Sequence, residues 1–163
     1  MMELNKMIAS YYSDKWQMYF LQEGQSFFDK NRSEISNILP KGLLEILHET
    51  GGFHDWFVIN VSIIGEDKSQ NNGITVEFIL QSDTEFNYLL RFIEVITFES
   101  VGLLIDNGHV MMPHSGPNVP INQLLDIWYV PSGSEIECIL LLEGKRYVHL
   151  ICKNSDGKYI TKI

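Results

Sequence analysis

Apolar residues in the first fifty positions recur every three or four residues, which is the spacing of one face of an α-helix. This pattern predicts an amphipathic helix that ends near Gly24. Its apolar stripe consists of Leu4, Met7, Ile8, Tyr11, Tyr12, Trp16, Tyr19 and Phe20. A second, shorter helix is predicted with Pro40 at its first helical position and Gly51-Gly52 just beyond its end, because proline suits the first turn of a helix and glycine its terminus.

After Gly52 the hydrophobic period changes to two, which is the period of a half-buried strand. Strands are predicted over residues 57–63, 74–80 and 88–98, followed by a hairpin of residues 135–143 and 146–153. Asp156-Gly157 is typical of a turn, so we expect one last short strand that ends near Ile163. Residues 100–126 contain repeated Gly and Pro and form the least regular part of the chain.

Helical patterning before residue 50 and strand patterning after it predict the α+β class. The expected architecture is a mainly antiparallel meander sheet with an N-terminal amphipathic helix and a short second helix. The chain has 163 residues and a hydrophobic content of 45%, which fits one core. We therefore expect residues 1–163 to form a single domain that is mainly helical over 1–50 and mainly β over 51–163.

The predicted late hairpin contains both cysteines of the chain, Cys138 and Cys152. A two-residue loop at Gly144-Lys145 would place Cys138 opposite Ile151, so the two sulfurs would point to opposite faces of the sheet. We therefore expect buried thiols in a reducing compartment rather than a disulfide. Both faces of the hairpin are apolar at mid-strand, so the hairpin needs covering on both sides, either by the rest of this chain or by a second subunit in a homodimer.

Negative charge is concentrated in the middle of the chain. Residues 1–50 carry 5 Lys/Arg and 7 Asp/Glu, residues 51–144 carry 2 against 13, and residues 145–163 carry 5 against 1, for a net charge of -9. Nucleic acid and anionic membrane are disfavoured as partners, because neutralising phosphates requires clustered Lys and Arg. A basic protein partner is favoured by this charge pattern, while solubility alone is the simpler explanation.

The sequence also bears on the compartment. The first residues do not show the basic segment and following apolar run of an export signal. The sequence also contains no apolar run long enough to span a membrane. We therefore expect a cytoplasmic protein.

The adjacent pair His54-Asp55 is the feature that most invites a chemical interpretation. Adjacent His and Asp ligands occur in metal-dependent phosphohydrolases with helical folds, but these need further His and Asp ligands on neighbouring helices. Here the pair opens a predicted strand, and His48 lies six residues upstream. The structural alternative is that His54 or Asp55 satisfies backbone groups at the helix-to-strand junction.

Other candidates for chemistry are weaker. His109 and His114 lie near Asp106 in the irregular segment, yet their spacing matches no metal-ligand signature, and Asp106-Asn107-Gly108 is also typical of a tight turn. No Gly-x-Ser-x-Gly nucleophile turn, Walker pattern or Gly-x-Gly-x-x-Gly loop occurs. The sequence therefore predicts no catalytic residue, no metal and no cofactor.

Residues 43–98 resemble a set of uncharacterised bacterial domains in which a short helix leads into a Phe/Leu-His-Asp junction, here Phe53-His54-Asp55. Meander strands then end in a Phe-x-x-Val-like segment, here residues 92–95, and a similar hairpin and final strand follow Leu124-Leu125-Asp126-Ile127. Some families of this kind are immunity proteins of bacterial polymorphic toxin systems. The resemblance implies tight binding to a toxin, no cofactor and a structural His-Asp pair.

The first functional hypothesis is thus a non-enzymatic protein-binding module, an immunity protein that neutralises a basic toxin domain through an acidic surface. The residues expected to contact the partner are Glu66, Asp67, Asp83, Glu85, Glu94 and Glu99. The alternatives are a metal-dependent or small-molecule-acting enzyme that uses His54 and Asp55, with His109 or His114, and a homodimeric scaffold that pairs through the late hairpin.

Overall fold

Ten strands and one complete helix build the described part of this protein. The computed structural model describes residues 33–65, 73–84, 86–101, 105–106, 109–110, 123–143 and 146–160. The elements in chain order are α1 (Lys41–Thr50), β1 (Phe57–Ile64), β2 (Ile74–Gln81), β3 (Asn87–Val95), β4 (Thr97–Val101), β5 (Ile105–Asp106), β6 (His109–Val110), β7 (Leu124–Ser132), β8 (Glu135–Leu142), β9 (Arg146–Cys152) and β10 (Asn154–Ile160). The predicted helix before Gly24 lies outside the described residues.

Two four-stranded antiparallel sheets form most of the fold. The first has the strand order β1-β2-β3-β10 and the second the order β4-β9-β8-β7, while β5 and β6 form a two-stranded sheet. The prediction of a mainly antiparallel sheet is confirmed, and the β1-β2-β3 part is the expected meander. The described fold is predominantly β.

The two sheets are joined because two long strands bend from one into the other. β3 continues into β4 through Ile96, and β9 continues into β10 through Lys153. Pairing persists at the bend, where the Ile96 amide donates to the Ile151 carbonyl at 2.8 Å and the Lys153 amide donates to the Ile93 carbonyl at 3.1 Å. The predicted strand over residues 88–98 is therefore two strands in different sheets.

The opposite margins of the two sheets also meet. Phe57 at the start of β1 bridges Gln123 just before β7. The Leu124 amide donates to the Trp56 carbonyl at 2.7 Å, and the Asp55 amide donates to the Leu124 carbonyl at 2.9 Å. With the shared bent strands on one side and this contact on the other, the sheets wrap around one core in a barrel-like circuit.

The helix α1 packs against this core. It presents buried Leu43 and Ile46, with Leu44 and Leu47 partly buried beside them. It begins after Pro40, which is the N-cap rather than the predicted first helical residue, and it ends at Gly51 in the left-handed conformation. Two amides satisfy the last carbonyls, since Gly51 donates to His48 and Gly52 to Leu47.

The late hairpin has a different register from the prediction. Leu142 pairs with Arg146, so the loop contains three residues rather than two, and Cys138 pairs with Leu150 rather than Ile151. Since Cys152 pairs with Ile136, the two cysteines lie on the same face of the sheet, and the prediction of opposite faces is wrong. Both are free and buried, as predicted.

Two further strands were predicted wrongly or not at all. β10 contains Asp156 and Gly157 in its interior, paired with Arg91 and Leu90, so no turn occurs there. β7 occupies residues that the sequence pattern left outside any strand, and it pairs with β8 along its length. Both hairpin faces are buried at mid-strand within this one chain, at Leu140 on one and Ile139 on the other, so their burial requires no second subunit.

Candidate functional site

The helix-to-strand junction that contains the His-Asp pair has an unusual backbone. Gly51, Gly52, Phe53 and Asp55 all have positive φ, at 62°, 75°, 58° and 66°. For a residue with a Cβ, this left-handed backbone conformation costs about 1–2 kcal/mol of free energy. Contacts with the surrounding structure must therefore hold Phe53 and Asp55 in it. Thr50 contributes, because its hydroxyl oxygen accepts a hydrogen bond from the Phe53 amide at 2.8 Å and its carbonyl accepts one from the His54 amide at 3.1 Å.

Phe53 anchors the junction in the core. Its side chain is fully buried, and its ring lies 5.3 Å from the Trp56 ring in an edge-on arrangement and 5.1 Å from the Tyr88 ring. Aromatic pairs at these separations stabilise a core beyond the area that they bury. The first residue of the Phe-His-Asp motif is thus a packing residue.

His54 and Asp55 project to the surface and contact the start of β7. The His54 Nδ1 lies 2.8 Å from the Leu125 carbonyl oxygen, to which it donates a hydrogen. The Asp55 carboxylate accepts a hydrogen bond from Gln123 Nε2 at 2.7 Å. His54 Nε2 lies 3.5 Å from Asp55 Oδ1, and the two side chains are 55% and 64% exposed. The pair therefore belongs to a surface network that joins the junction to residues 123–125.

This network restricts what the imidazole can do. Because Nδ1 carries a hydrogen directed at a carbonyl, only Nε2 could accept a proton or bind a metal. Within the described part of the chain, no group of three or more His, Cys, Asp or Glu lies close enough to hold a metal ion. His109 and Asp106 pair with each other in the backbone of β5 and β6, and β6 lies beside β1. His114 lies outside the described residues.

Gly52 brings a second acidic residue, Asp126, to the junction. A Cβ atom at position 52 would collide with the Asp126 carboxylate and would lie 3.2 Å from the Ile127 amide. The same carboxylate accepts hydrogen bonds from that amide at 2.8 Å and from Trp128 Nε1 at 3.1 Å. Asp126 is thus positioned by groups of β7 while it packs against the glycine of the junction.

The six acidic residues predicted to contact a partner fall into separate regions. Glu94 lies at the end of β3, with Oε2 3.7 Å from Lys153 Nζ, and Asp83 is exposed in the turn before β3. The nine residues of β3 separate them by about 25 Å. Glu99 is exposed on β4 in the second sheet. Glu66, Asp67 and Glu85 lie outside the described residues, Glu66 and Asp67 within the link from β1 to β2. The structure therefore does not gather Asp83, Glu94 and Glu99 into one compact patch.

The cations of the central region leave this acidity largely uncompensated. Arg91 is the only Lys or Arg among the described residues between 51 and 143. Its Nε and Nη2 donate to the two carboxylate oxygens of Asp156 at 2.7 and 2.6 Å, and this hydrogen bonding raises the pKa of Arg91. Arg91 is therefore committed to a carboxylate of β10.

The buried Cys138 pairs across strands with Tyr129, which belongs to a small hydrogen-bonded group in the core. The Tyr129 hydroxyl lies 3.1 Å from the Ser155 hydroxyl, which in turn donates to the Arg91 carbonyl at 2.8 Å. Burial raises the pKa of the Cys138 thiol well above its ordinary value and that of Cys152 to about 12. Both sulfurs are therefore protonated at neutral pH, and a protonated, buried thiol is a poor nucleophile.

Sequence reasoning missed a group of exposed apolar residues at one end of the first sheet. Ile63 and Ile64 end β1, Ile74 begins β2, and Ile96 follows β3; all four are exposed. The available signal was the adjacent pair Ile63-Ile64, which interrupts the period of two. Glu94 nearby has a φ of 54°, which no sequence pattern indicated.

No family model matches this chain, and comparison with curated proteins and with solved structures finds no match either. In the described part of the chain, no helix combines the length and the apolar character that crossing a membrane requires.

Proposed function

We propose that this chain is a non-enzymatic protein-binding module, an immunity protein that neutralises a cognate bacterial toxin by binding a basic surface of it. The observation that carries the proposal is the excess of 13 Asp/Glu over 2 Lys/Arg in residues 51–144. An acidic surface attracts a basic partner and speeds its association.

The state of the charged groups supports this proposal. Arg91, the described cation of the central region, is taken up by Asp156, so it does not neutralise the acids around it. The acidic residues proposed to contact the partner are Glu66, Asp67, Asp83, Glu85, Glu94 and Glu99. Of the three that the structure describes, Asp83 precedes β3, Glu94 lies at its end and Glu99 lies on β4. Such a spread suits charges that steer a partner from a distance, because steering depends on the summed field of the surface.

The geometry of the His-Asp pair is also compatible with a binding module. Nδ1 of His54 and one carboxylate oxygen of Asp55 are engaged by Leu125 and Gln123. These contacts give both residues a role in joining the junction to β7 that involves no substrate. The resemblance of residues 43–98 to uncharacterised bacterial domains, some of which are immunity proteins, implies the same structural role.

We infer that the amphipathic stripe before Gly24 forms the helix that its spacing predicts, which would make the protein a single α+β domain. We also infer that the protein acts in the cytoplasm, where its buried thiols would stay reduced.

Co-expression with the product of the adjacent gene tests the proposed function. We expect that product alone to arrest growth, and this chain to restore growth and to co-purify with it. A triple variant, Asp83→Asn with Glu94→Gln and Glu99→Gln, should associate more slowly, because it lacks three steering charges. Glu34→Gln is the matched control, since Glu34 is exposed but lies outside the acidic region. Absence of both rescue and a complex would refute the proposal.

A further inference from the structure

We propose that two exposed aromatic rings, Phe86 and Tyr159, anchor the basic partner; we call this pair the aromatic patch. The inference rests on the proposed function and names the surface that performs it. The occupant is a Lys or Arg side chain of the partner, held by the ring faces and by the neighbouring carboxylates of Glu49 and Asp83.

The aromatic patch consists of the two most exposed large hydrophobic residues in the described part of the chain. Phe86 is 63% exposed and Tyr159 is 57% exposed. Aromatic rings gain much stability from burial and contribute strongly to protein interfaces. One exposed ring needs no explanation, but two at the same place indicate a contact surface.

The strand register places both rings on one face at one end of the first sheet. Tyr159 of β10 lies directly opposite Tyr88 of β3, and residues directly opposite each other share a face. The pairing of β2 with β3 continues past Asn87, because the Ser82 amide donates to the Phe86 carbonyl at 2.9 Å. Phe86 therefore precedes Tyr88 by two residues in extended chain and points to the same side. Diagonal neighbours of this kind lie about 7–8 Å apart, within reach of aromatic side chains.

Tyr159 is also held in position by the core. Its ring packs edge-on against the buried Tyr88 ring at a centroid distance of 5.2 Å. The Tyr88 ring in turn lies 5.1 Å from the ring of Phe53, which is fully buried. A side chain that is already ordered loses little conformational entropy when a partner binds, so Tyr159 is a preorganised anchor.

Two carboxylates accompany the rings. Burial raises the pKa of Tyr159, and the negative charge of Glu49 on the neighbouring helix α1 raises it further. Asp83 is exposed in the turn that leads to Phe86. Within the described part of the chain, neither Glu49 nor Asp83 forms an ion pair. Glu49 also lies in the last turn of α1, where the helix dipole disfavours negative charge, so a bound cation would relieve an unfavourable placement.

These groups identify the occupant as a cation. The faces of aromatic rings attract Lys and Arg, and the carboxylates add full negative charges. Lys158 does not fill this role, because it directly precedes Tyr159 in β10 and its side chain points to the opposite face. A second copy of this chain would bring Glu49 and Asp83 close to their own counterparts, whereas a basic partner would neutralise them.

The experiment compares the full chain with four variants. Phe86→Leu with Tyr159→Leu removes both rings but keeps apolar bulk, whereas Phe86→Tyr with Tyr159→Phe keeps both rings. Glu49→Gln removes one charge from an exposed position, so it keeps the test decisive even if the leucine variant unfolds on heating more readily than the native chain. Glu45→Gln is its matched control, because Glu45 lies on the same helix but pairs with Lys41 at 3.7 Å.

Two probes separate this inference from the proposed function. The first is the purified product of the adjacent gene. The second is a short arginine-rich peptide, beside the same peptide with neutral citrulline in place of arginine. Both peptides are titrated into the isotope-labelled full chain and followed by NMR, which detects weak binding. We expect only the arginine peptide to shift the signals of Phe86 and Tyr159. The leucine variant should bind either probe about tenfold or more weakly, and Glu49→Gln a few-fold more weakly, while the ring-exchange variant and Glu45→Gln bind as the native chain does.

Each outcome decides one of the two proposals. Peptide binding that the leucine variant loses supports the aromatic patch even if the adjacent gene product does not bind, a result that would remove only the assigned toxin. Binding of that product at equal strength by the leucine variant and the native chain would overturn the patch and leave the proposed function intact. The patch would also be overturned if the arginine peptide did not bind, if the citrulline peptide bound equally well, or if Glu49→Gln and Glu45→Gln behaved alike. A dimer of the chain alone that dissociates in the leucine variant would overturn it as well, because a second copy would then be the occupant.

Discussion

The ring of Tyr88 lies directly over the backbone of Gly157, so closely that a Cβ atom on residue 157 would collide with it. Tyr88 is buried, and Tyr159 packs edge-on against its ring at 5.2 Å. Gly157 therefore sits in the interior of β10 because the aromatic ring of the neighbouring strand fills the space that a side chain would need.

Replacing this glycine should destabilise the fold. Gly157→Ala is expected to lower the free energy of unfolding by about 1–3 kcal/mol, because Tyr88 cannot move without disturbing the core. Gly42→Ala is the control, since nothing lies within 4 Å of a Cβ there and alanine favours the helix by up to about 1 kcal/mol. Urea unfolding measures both, and equal stabilities for the two variants would contradict the contact.

The junction glycines should differ from each other. Gly51 and Gly52 both have positive φ, but only at Gly52 would a Cβ collide with Asp126. Gly51→Ala is expected to cost about 1 kcal/mol from backbone strain, and Gly52→Ala about 3 kcal/mol, because overpacking is added to that strain. Thermal or urea unfolding would reveal the difference. Similar costs would mean that the contact between the junction and β7 contributes little.

The three residues of the Phe-His-Asp motif should divide into a core anchor and a surface pair. Phe53→Ala should cost about 3–5 kcal/mol, since it empties a fully buried aromatic site. His54→Ala should cost only about 1 kcal/mol, since it removes one partly exposed hydrogen bond to Leu125. Unfolding curves of the two variants test this division. A larger loss for His54→Ala than for Phe53→Ala would show that His54 holds the junction.

The buried thiols should make the protein less stable in alkali. In the folded protein, burial raises the pKa of Cys152 to about 12 and that of Cys138 well above its ordinary value. In the unfolded chain, both thiols have a pKa of about 8.5. Above that pH the unfolded chain has released protons that the folded chain retains. The free energy of unfolding should therefore fall as pH rises, by up to about 1.4 kcal/mol per pH unit for each thiol.

Urea unfolding between about pH 7 and about pH 10 checks this fall. Cys152→Ala should reduce the slope, since one thiol no longer titrates in the unfolded state. Unchanged stability across that range in the native protein would mean that the thiols ionise in the folded state as readily as in the unfolded one. Ready reaction of Cys138 with a thiol reagent under native conditions would lead to the same conclusion.

The first part of the fold could be predicted because its patterns are local. Proline and paired glycines bound α1, and alternation marks β2 and most of β1, where it is interrupted at a register shift between Val58 and Asn60 and at Ile63-Ile64. β7 escaped prediction because it is buried on both faces, with Tyr129 on one side and Trp128 on the other, so it lacks alternation. The hairpin register could not be read from Gly144-Lys145, since pairing in the sheet places Leu142 opposite Arg146.

The candidate surface was predictable only in its charge. Acidic residues can be counted along the chain, but the bend after Val95, which places Glu99 in a different sheet from Glu94, follows from tertiary pairing. The exposure of Ile74 and Ile96 occurs beside the register shift between Ile74 and Val76 and at the bend after Val95, and no local sequence pattern indicates either feature. No local sequence pattern indicates that Asp156 pairs with Arg91 or that the Tyr88 ring packs over Gly157.

The most direct test of the proposed function is calorimetry of the purified chain with the purified product of the adjacent gene, at low and at raised salt concentration. We predict a stoichiometric complex whose affinity weakens as salt increases, because opposite charges attract the two proteins. A product that stays unbound even at low salt, or one whose binding is unaffected by salt, would contradict the account of an acidic surface that captures a basic partner.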